Sequence, residues 1–107
     1  MAHVVVNYDG SITTTPKQYV TPQNVAQLQA ILRDTVTYPS PVRAKGSYHS
    51  LTPCVSSDGT IVDMSGLAQV VTIDKASNSF TAQAGMQVIA ASKALRAQGL
   101  QFMTDAL

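Results

Sequence analysis

The residues with the clearest chemical potential lie at positions 43–50, where the sequence reads Arg-Ala-Lys-Gly-Ser-Tyr-His-Ser after a short apolar run. Gly46 can adopt positive φ angles and lets a ligand approach the backbone closely. Consecutive amides from Gly46 to His49 can form an anion-binding nest, to which Arg43 and Lys45 add positive charge. A loop that surrounds a phosphate and presents one imidazole suits a tightly held dinucleotide cofactor, and it indicates flavin chemistry.

This segment also fits a plain strand-to-loop connection, because a single glycine in a polar loop is weak evidence for a ligand site. A further alternative is a nest for a phosphate that does not belong to a dinucleotide. The cofactor hypothesis gives His49 the central role, since its imidazole can contact the ring system of the ligand. The candidate cofactor-binding residues are Arg43, Ala44, Lys45, Gly46, Ser47, Tyr48, His49 and Ser50.

The remaining reactive side chains give no second site of comparable strength. The single cysteine, Cys54, excludes an intrachain disulfide. His3 and His49, with scattered aspartates, do not have the spacing of metal ligands. Ser50 beside His49 suggests a hydrolase triad, but the sequence contains no nucleophile-elbow motif. We therefore predict no metal site and no catalytic residue in this chain.

Bulk composition narrows the possible function classes. The 107 residues correspond to one domain or part of one, with 45% hydrophobic and 12% charged residues. The net charge is +1 and the seven Lys and Arg residues are scattered, so we expect no nucleic-acid binding. The apolar stretches are too short to span a bilayer, and the N-terminus has no secretory signal. The composition thus favours a soluble cytoplasmic domain without a membrane partner.

A helix and two strands are predicted to position the 43–50 segment. Thr21 is a good N-cap and Pro22 fits the first helical position, so we expect the helix to begin there. The apolar stripe of this helix consists of Val25, Leu28, Ile31 and Leu32. Residues 42–44 form a short strand candidate that runs into the glycine loop, and residues 60–64 predict a buried strand.

The second half of the chain predicts a hairpin followed by a helix. Residues 70–74 and 79–84 form two strand candidates on either side of a turn at 75–78. A helix is expected at roughly residues 87–98, and Gly99 suits the position just after its C-terminus. Strands and helices together predict an α+β fold. Because the chain stops within an apolar pattern, we expect an N-terminal part of a longer protein.

The order of these elements and three segments of sequence resemble a known family. Residues 7–10 (NYDG) are similar to an Asn-Trp-x-Gly opening, residues 41–50 (PVRAKGSYHS) to a flavin loop, and residues 60–86 to the stretch that follows that loop. These segments resemble the start of the FAD-binding domain of the vanillyl-alcohol oxidase / p-cresol methylhydroxylase (PCMH-type) superfamily. Within that superfamily, they resemble the sugar-lactone and alditol oxidases most. Lys45 and Tyr48 depart from the family pattern, which has small residues there.

The resemblance implies a fold and a cofactor. The family fold is α+β, with two subdomains that hold an extended FAD. Residues 1–107 would form the first subdomain, a small mixed sheet with flanking helices, within a longer flavoenzyme. His49 matches the family position that often carries a covalent bond to the 8α-methyl group of the flavin, which requires a neutral, correctly oriented imidazole.

The resemblance also implies a reaction. The whole enzyme would oxidise an alcohol, sugar or lactone by hydride transfer to flavin, and O₂ or another acceptor would reoxidise the flavin. The expected partner of this chain is the remainder of the flavoenzyme or a second copy, and the chain alone is expected to be inactive. The alternative is a non-catalytic FAD- or anion-binding or interaction module that docks onto another chain. A yellow purified protein favours the first hypothesis, and a colourless dimer favours the second.

Overall fold

The computed structural model describes residues 3–102, which fall into two compact units. One unit ends at Gly66, and the other begins at Leu67. Within the described residues, each unit combines one α-helix with short strands. The α+β class expected from the sequence is therefore confirmed.

The first unit is built around a three-stranded parallel sheet. Its elements among residues 3–66 are β1 (Val5–Val6), β2 (Thr13–Thr14), β3 (Gln18–Val20), α1 (Val25–Arg33), β4 (Val42–Lys45) and β5 (Thr60–Asp63). The sheet has the order β3-β5-β4, and both neighbours run parallel to β5. β1 and β2 form a separate antiparallel pair. Because β5 is the central strand, Thr60, Ile61 and Val62 are all buried.

Helix α1 begins later than the sequence predicts. Its N-cap is Asn24, whose Oδ1 accepts a hydrogen bond of 2.8 Å from the amide of Gln27. The prediction of Thr21 as the cap was wrong, because Asn24 is the residue that satisfies an otherwise unpaired amide of the first turn.

The apolar stripe of α1 is narrower than predicted. Ile31 is buried and Leu28 is half-buried. Val25 and Leu32 are 56% and 54% exposed. Only the Leu28–Ile31 side, an i and i+3 pair, faces the interior.

The core of the first unit lies beneath the 43–50 segment. Val5, Tyr48 and Ile61 form a buried cluster, against which Ile12, Tyr19 and Val55 pack. The 3₁₀ turn Pro53–Val55 thus contributes its last residue to this cluster. The loop that carries the candidate site is consequently part of the core through Tyr48.

The second unit contains the predicted hairpin and helix. β6 (Val70–Asp74) pairs antiparallel with β7 (Ser79–Ala82), and α2 (Val88–Ala97) follows. The hairpin and the helix were predicted correctly, although β7 ends two residues early. Ala91 and Leu95 are buried on α2, as expected, whereas Val88 is 46% exposed.

The end of α2 confirms the role predicted for Gly99. Gly99 has a φ of +75°. Its amide donates to the carbonyl of Arg96 at 3.0 Å, and the amide of Leu100 donates to that of Leu95 at 2.9 Å. This pair of bonds is a Schellman motif, which uses a left-handed residue that glycine adopts without steric cost. None of the helices between residues 3 and 102 is long and apolar enough to cross a membrane.

Candidate functional site

The candidate site lies at the carboxyl end of the parallel sheet. β4 ends at Lys45 and β5 ends at Asp63, and these two residues are paired in the sheet register. The loop 46–50 follows β4 directly. In open α/β sheets, ligands bind outside the carboxyl ends of parallel strands, so the position of this loop agrees with a binding role.

Tyr48 anchors the loop to the core. Its side chain is 3% exposed and belongs to the cluster with Val5 and Ile61. Its hydroxyl lies 3.1 Å from Oγ of Ser56. Ser47 and His49, on either side, are exposed. The large residue that departs from the family pattern is therefore a buried anchor, and only its backbone is available to a ligand.

Within this loop the positive φ angle is found at Tyr48, where φ is +57°, although Gly46 is the residue that could adopt one without steric cost. A non-glycine residue in this region is uncommon and adopts it where surrounding structure holds it there. Here the buried ring and its contact with Ser56 hold Tyr48 in place, and the left-handed turn exposes the residues on both sides.

Gly46 is notable for the empty space beside it. Gly46 is exposed, and a Cβ at this position would meet no atom of the chain within 4 Å. Packing within the described residues therefore does not require glycine here. The open backbone fits a ligand that approaches closely, such as a diphosphate.

Lys45 lies between the loop and the end of β5. Its Nζ donates a hydrogen bond of 3.2 Å to the carbonyl of Gly46 and lies 3.8 Å from Oδ2 of Asp63. The ammonium also lies 5.8 Å from the centre of the Tyr19 ring. This position explains the second departure from the family pattern, because Lys45 links the loop to the sheet. Arg43 and Ala44 are exposed on β4.

Asp63 and Tyr19 form a polar pair beside this lysine. The Tyr19 hydroxyl donates to Oδ2 of Asp63 at 2.5 Å, and the amide of Ser65 donates to Oδ1 at 2.9 Å. Burial alone would raise the pKa of Asp63, but the Tyr19 and Ser65 hydrogen bonds and the charge of Lys45 outweigh it and lower the pKa. Burial first, and then Asp63, raise the pKa of Tyr19.

The imidazole of His49 has an aromatic neighbour. The ring centres of His49 and Tyr8 are 5.0 Å apart, and the ring planes are inclined by 59°. Both side chains are exposed, Tyr8 by 75%. The imidazole is thus presented at the surface and not within the core.

Ser50 is half-buried and connects the loop to the 3₁₀ turn. Its Oγ lies 3.0 Å from Oγ1 of Thr52 and 3.3 Å from Sγ of Cys54. These hydrogen bonds from Ser50 and Thr52 lower the pKa of the exposed Cys54 thiol. Residues 3–102 contain no cluster of three or more potential metal ligands.

Sequence reasoning did not assign a role to Asn7, although it lies in the NYDG motif. Asn7 is 4% exposed, and its Nδ2 donates to the carbonyl of Ser50 at 3.0 Å. Its Oδ1 accepts from the amide of Ile12 at 2.9 Å. Asn7 therefore joins the β1–β2 turn to the end of the loop. The available signal was the asparagine of the family's opening motif.

Comparison with known proteins agrees with this geometry. A family model described as FAD binding domain matches residues 16–107. An L-gulono-1,4-lactone dehydrogenase of Mycobacterium tuberculosis is 29% identical over 107 residues, which cover 98% of this chain and 25% of the relative. A Neurospora crassa protein with the provisional name D-arabinono-1,4-lactone oxidase is 25% identical over 99 residues, which cover 92% of this chain and 18% of the relative. The chain thus spans a quarter or less of these relatives.

Proposed function

The chain belongs to the FAD-binding domain family, and from that premise we propose that the loop 46–50 holds the diphosphate of FAD and presents His49 to the flavin ring system. The observation that carries this proposal is the open backbone at Gly46, directly after the carboxyl end of β4. A diphosphate needs close access to backbone amides, and a side chain at this position would obstruct it.

Individual residues have different roles in this proposal. Gly46 and the backbone of Ser47 and Tyr48 face the diphosphate, while the side chain of Tyr48 keeps the loop in shape. Arg43 is exposed and contributes positive charge near the site. The ammonium of Lys45 already lies near Asp63, so its main contribution is to hold the carbonyl of Gly46.

His49 is the proposed attachment point of a covalent flavin. Its exposed ring can reach a ligand without any rearrangement of the core. In its neutral form the imidazole offers an unprotonated nitrogen that can bond to the 8α carbon. The 8α-methyl group and the imidazole would each lose a proton, the two electrons would reduce the flavin, and O₂ or another acceptor would reoxidise it.

FAD supplies the redox chemistry when it is bound, and this chain binds and orients it. We propose that the whole enzyme oxidises a sugar lactone or a related alcohol by hydride transfer to the flavin. The names of the two relatives, a lactone dehydrogenase and a lactone oxidase, support this substrate class. The chain by itself is expected to bind FAD without turning over substrate.

The proposal also covers the longer protein to which these residues would belong, its docking partner and its location. Residues 1–107 would be the N-terminal subdomain of a longer flavoenzyme, and the chain's match to about a quarter of its relative supports this. The exposed Val25 and Leu32 of α1 support docking onto a further polypeptide, either the remainder of the enzyme or a second copy. A cytoplasmic location is part of this proposal.

The decisive experiment is to load the chain with FAD and measure its absorbance and its mass under denaturing conditions. We expect a yellow protein whose mass rises by that of one FAD less two hydrogens. His49→Ala should abolish the mass increase, whereas His3→Ala, which removes the other histidine, should retain it. Gly46→Ala should weaken FAD binding without unfolding the chain.

Two outcomes would contradict parts of the proposal. A wild-type chain that binds no FAD would reject the role of the loop. A mass increase that survives in His49→Ala would reject His49 as the attachment point, and absorbance without a mass increase would indicate bound but unattached FAD.

A further inference from the structure

We propose that Tyr8 is a second cofactor-contacting residue, whose ring stacks on the flavin ring system next to His49. This inference rests on the proposed role of the loop 46–50. It adds a contact from the β1–β2 turn, about forty residues earlier in the sequence than the loop.

The backbone of Tyr8 is fixed to the loop. Its amide donates a hydrogen bond of 2.8 Å to the carbonyl of Tyr48. Its neighbour Asn7 is buried and holds the carbonyl of Ser50. Residues 7 and 8 are thus hydrogen-bonded to the loop on both sides of His49. Tyr8 is bonded to Tyr48, which precedes His49, and Asn7 is bonded to Ser50, which follows it.

Within residues 3–102, the side chain of Tyr8 lies against the His49 ring but is not packed into the core. It is 75% exposed, so its ring contributes little buried surface to the stability of the fold. A large aromatic side chain held at the surface by a fixed backbone is suited to bind a ligand. Among the described residues, the ring adjacent to it is the His49 imidazole.

The geometry of the two rings defines where a ligand would lie. Their centres are 5.0 Å apart and their planes are inclined by 59°. A flavin consists of three fused rings and is wider than this separation. The flavin ring system is therefore large enough to contact the His49 imidazole and the Tyr8 phenol at the same time, and we infer that the phenol provides a stacking surface.

The proposal makes a spectroscopic prediction that a structural role would not share. A phenol stacked on a flavin quenches its fluorescence by donating an electron to the excited ring, whereas a phenyl group does not. The chain contains no tryptophan, so no indole contributes to this signal. Tyr8→Phe should therefore retain FAD affinity but raise the emission per bound flavin several-fold.

The experiment is a titration of the full chain with FAD, with emission normalised to the absorbance of bound flavin. Tyr8→Ala should lower the FAD affinity roughly tenfold, as expected for the loss of one aromatic stacking contact. Tyr8→Phe should leave affinity within about twofold, and Tyr8→Trp should retain the quenching. Tyr38→Phe is the matched control, since Tyr38 lies in the turn after α1, and it should change neither quantity.

The outcomes separate this inference from the proposed function. Tight FAD binding with unchanged affinity and emission in Tyr8→Phe and Tyr8→Ala would overturn the inference and leave the role of the loop intact. A wild-type chain that binds no FAD would overturn both. Because Tyr8 is exposed, circular dichroism of the variants should match the wild type, and Tyr8→Phe provides the test if Tyr8→Ala does not fold.

Discussion

The two ends of the parallel sheet differ in how they use glycine. At the amino end, Gly59 precedes β5, and at the carboxyl end, Gly46 follows β4. A Cβ at Gly59 would lie 2.5 Å from the carbonyl oxygen of Pro39 and 2.6 Å from two backbone atoms of Ser40, whereas a Cβ at Gly46 would meet nothing within 4 Å.

The amino end is closed by hydrogen bonds to the chain itself. Oγ of Ser57 donates to the carbonyl of Pro41 at 2.6 Å and accepts from the amide of Gly59 at 2.9 Å. Oγ1 of Thr60 donates to the carbonyl of Pro39 at 2.9 Å. Ser57 and Thr60 are 4% and 0% exposed, so these polar groups are satisfied in the interior.

At the carboxyl end, by contrast, most residues of the loop are exposed. Gly46, Ser47 and His49 are exposed there, and only Tyr48 enters the core. The comparison shows that glycine occurs at the two ends of this sheet for different reasons. Gly59 is required by the packing of the chain, and the explanation we propose for Gly46 is a ligand.

The largest effect is expected for Gly59→Ala. The added methyl group would overlap backbone atoms of Pro39 and Ser40, which cannot move as a flexible side chain can. We expect the free energy of unfolding to fall by roughly 3 kcal/mol, measured by urea denaturation.

The matched control is Gly46→Ala at the other end of the sheet. Its methyl group enters open space and its φ is not left-handed, so stability should be unchanged or rise by up to about 1 kcal/mol. A loss of stability equal to that of Gly59→Ala would remove the distinction between the two ends.

A smaller effect is expected for Thr60→Val. The substitution keeps the shape of the side chain but removes the hydroxyl that donates to Pro39. The carbonyl of the half-buried Pro39 loses this partner, which should reduce the free energy of unfolding by about 1–2 kcal/mol, measured by urea denaturation. Thr13→Val, at an exposed position of β2, should change stability by less than about 0.5 kcal/mol. Equal losses in both variants would show that the amino end is not specially closed.

The smallest effect concerns Asp63 at the carboxyl end. Its pKa is lowered in the folded protein because the Tyr19 and Ser65 hydrogen bonds outweigh the effect of burial. Its contribution to stability is therefore present above the unfolded pKa and is lost as the pH falls through the folded pKa. Asp63→Asn should reduce stability by about 1 kcal/mol at neutral pH, and the difference from wild type should shrink towards pH 3.

The control for this pH dependence is Asp58→Asn, at an exposed position before β5. Its difference from wild type should be small at neutral pH. The Tyr19–Asp63 hydrogen bond also loses its contribution to stability at high pH. Because the pKa of Tyr19 is raised in the folded protein, the contribution of its neutral hydroxyl is present below pH 10 and is lost as the pH rises further. A constant difference between Asp63→Asn and wild type from pH 3 to pH 7 would contradict the coupling.

The elements that the sequence predicted well depend on local signals. The hairpin between β6 and β7 and the Gly99 terminus of α2 each follow from residues within a few positions of one another. The start of α1 was predicted wrongly, because Thr21 and Asn24 are both good N-caps and the local sequence pattern does not distinguish between them. The exposure of Val25 and Leu32 depends on which neighbours cover the helix, which periodicity alone does not specify.

The sequence singled out residues 43–50 as the candidate site but did not predict their internal arrangement. Gly46 and His49 were identified from residue type and from the family resemblance. The left-handed turn at Tyr48 was not, since tyrosine rarely adopts that conformation and holds it here through the buried contact with Ser56. The role of Asn7 depends on a hydrogen bond to Ser50 across 43 positions, and no local pattern reports a pairing over that distance.

That bond between Asn7 and Ser50 has a practical consequence for work with this protein. The side chain of Asn7 holds the carbonyl of Ser50, so a deletion that includes Asn7 would remove this bond and should loosen the end of the loop 46–50. A change at Asn7 should therefore alter the arrangement of residues 46–50, which lie about 40 positions further along the sequence.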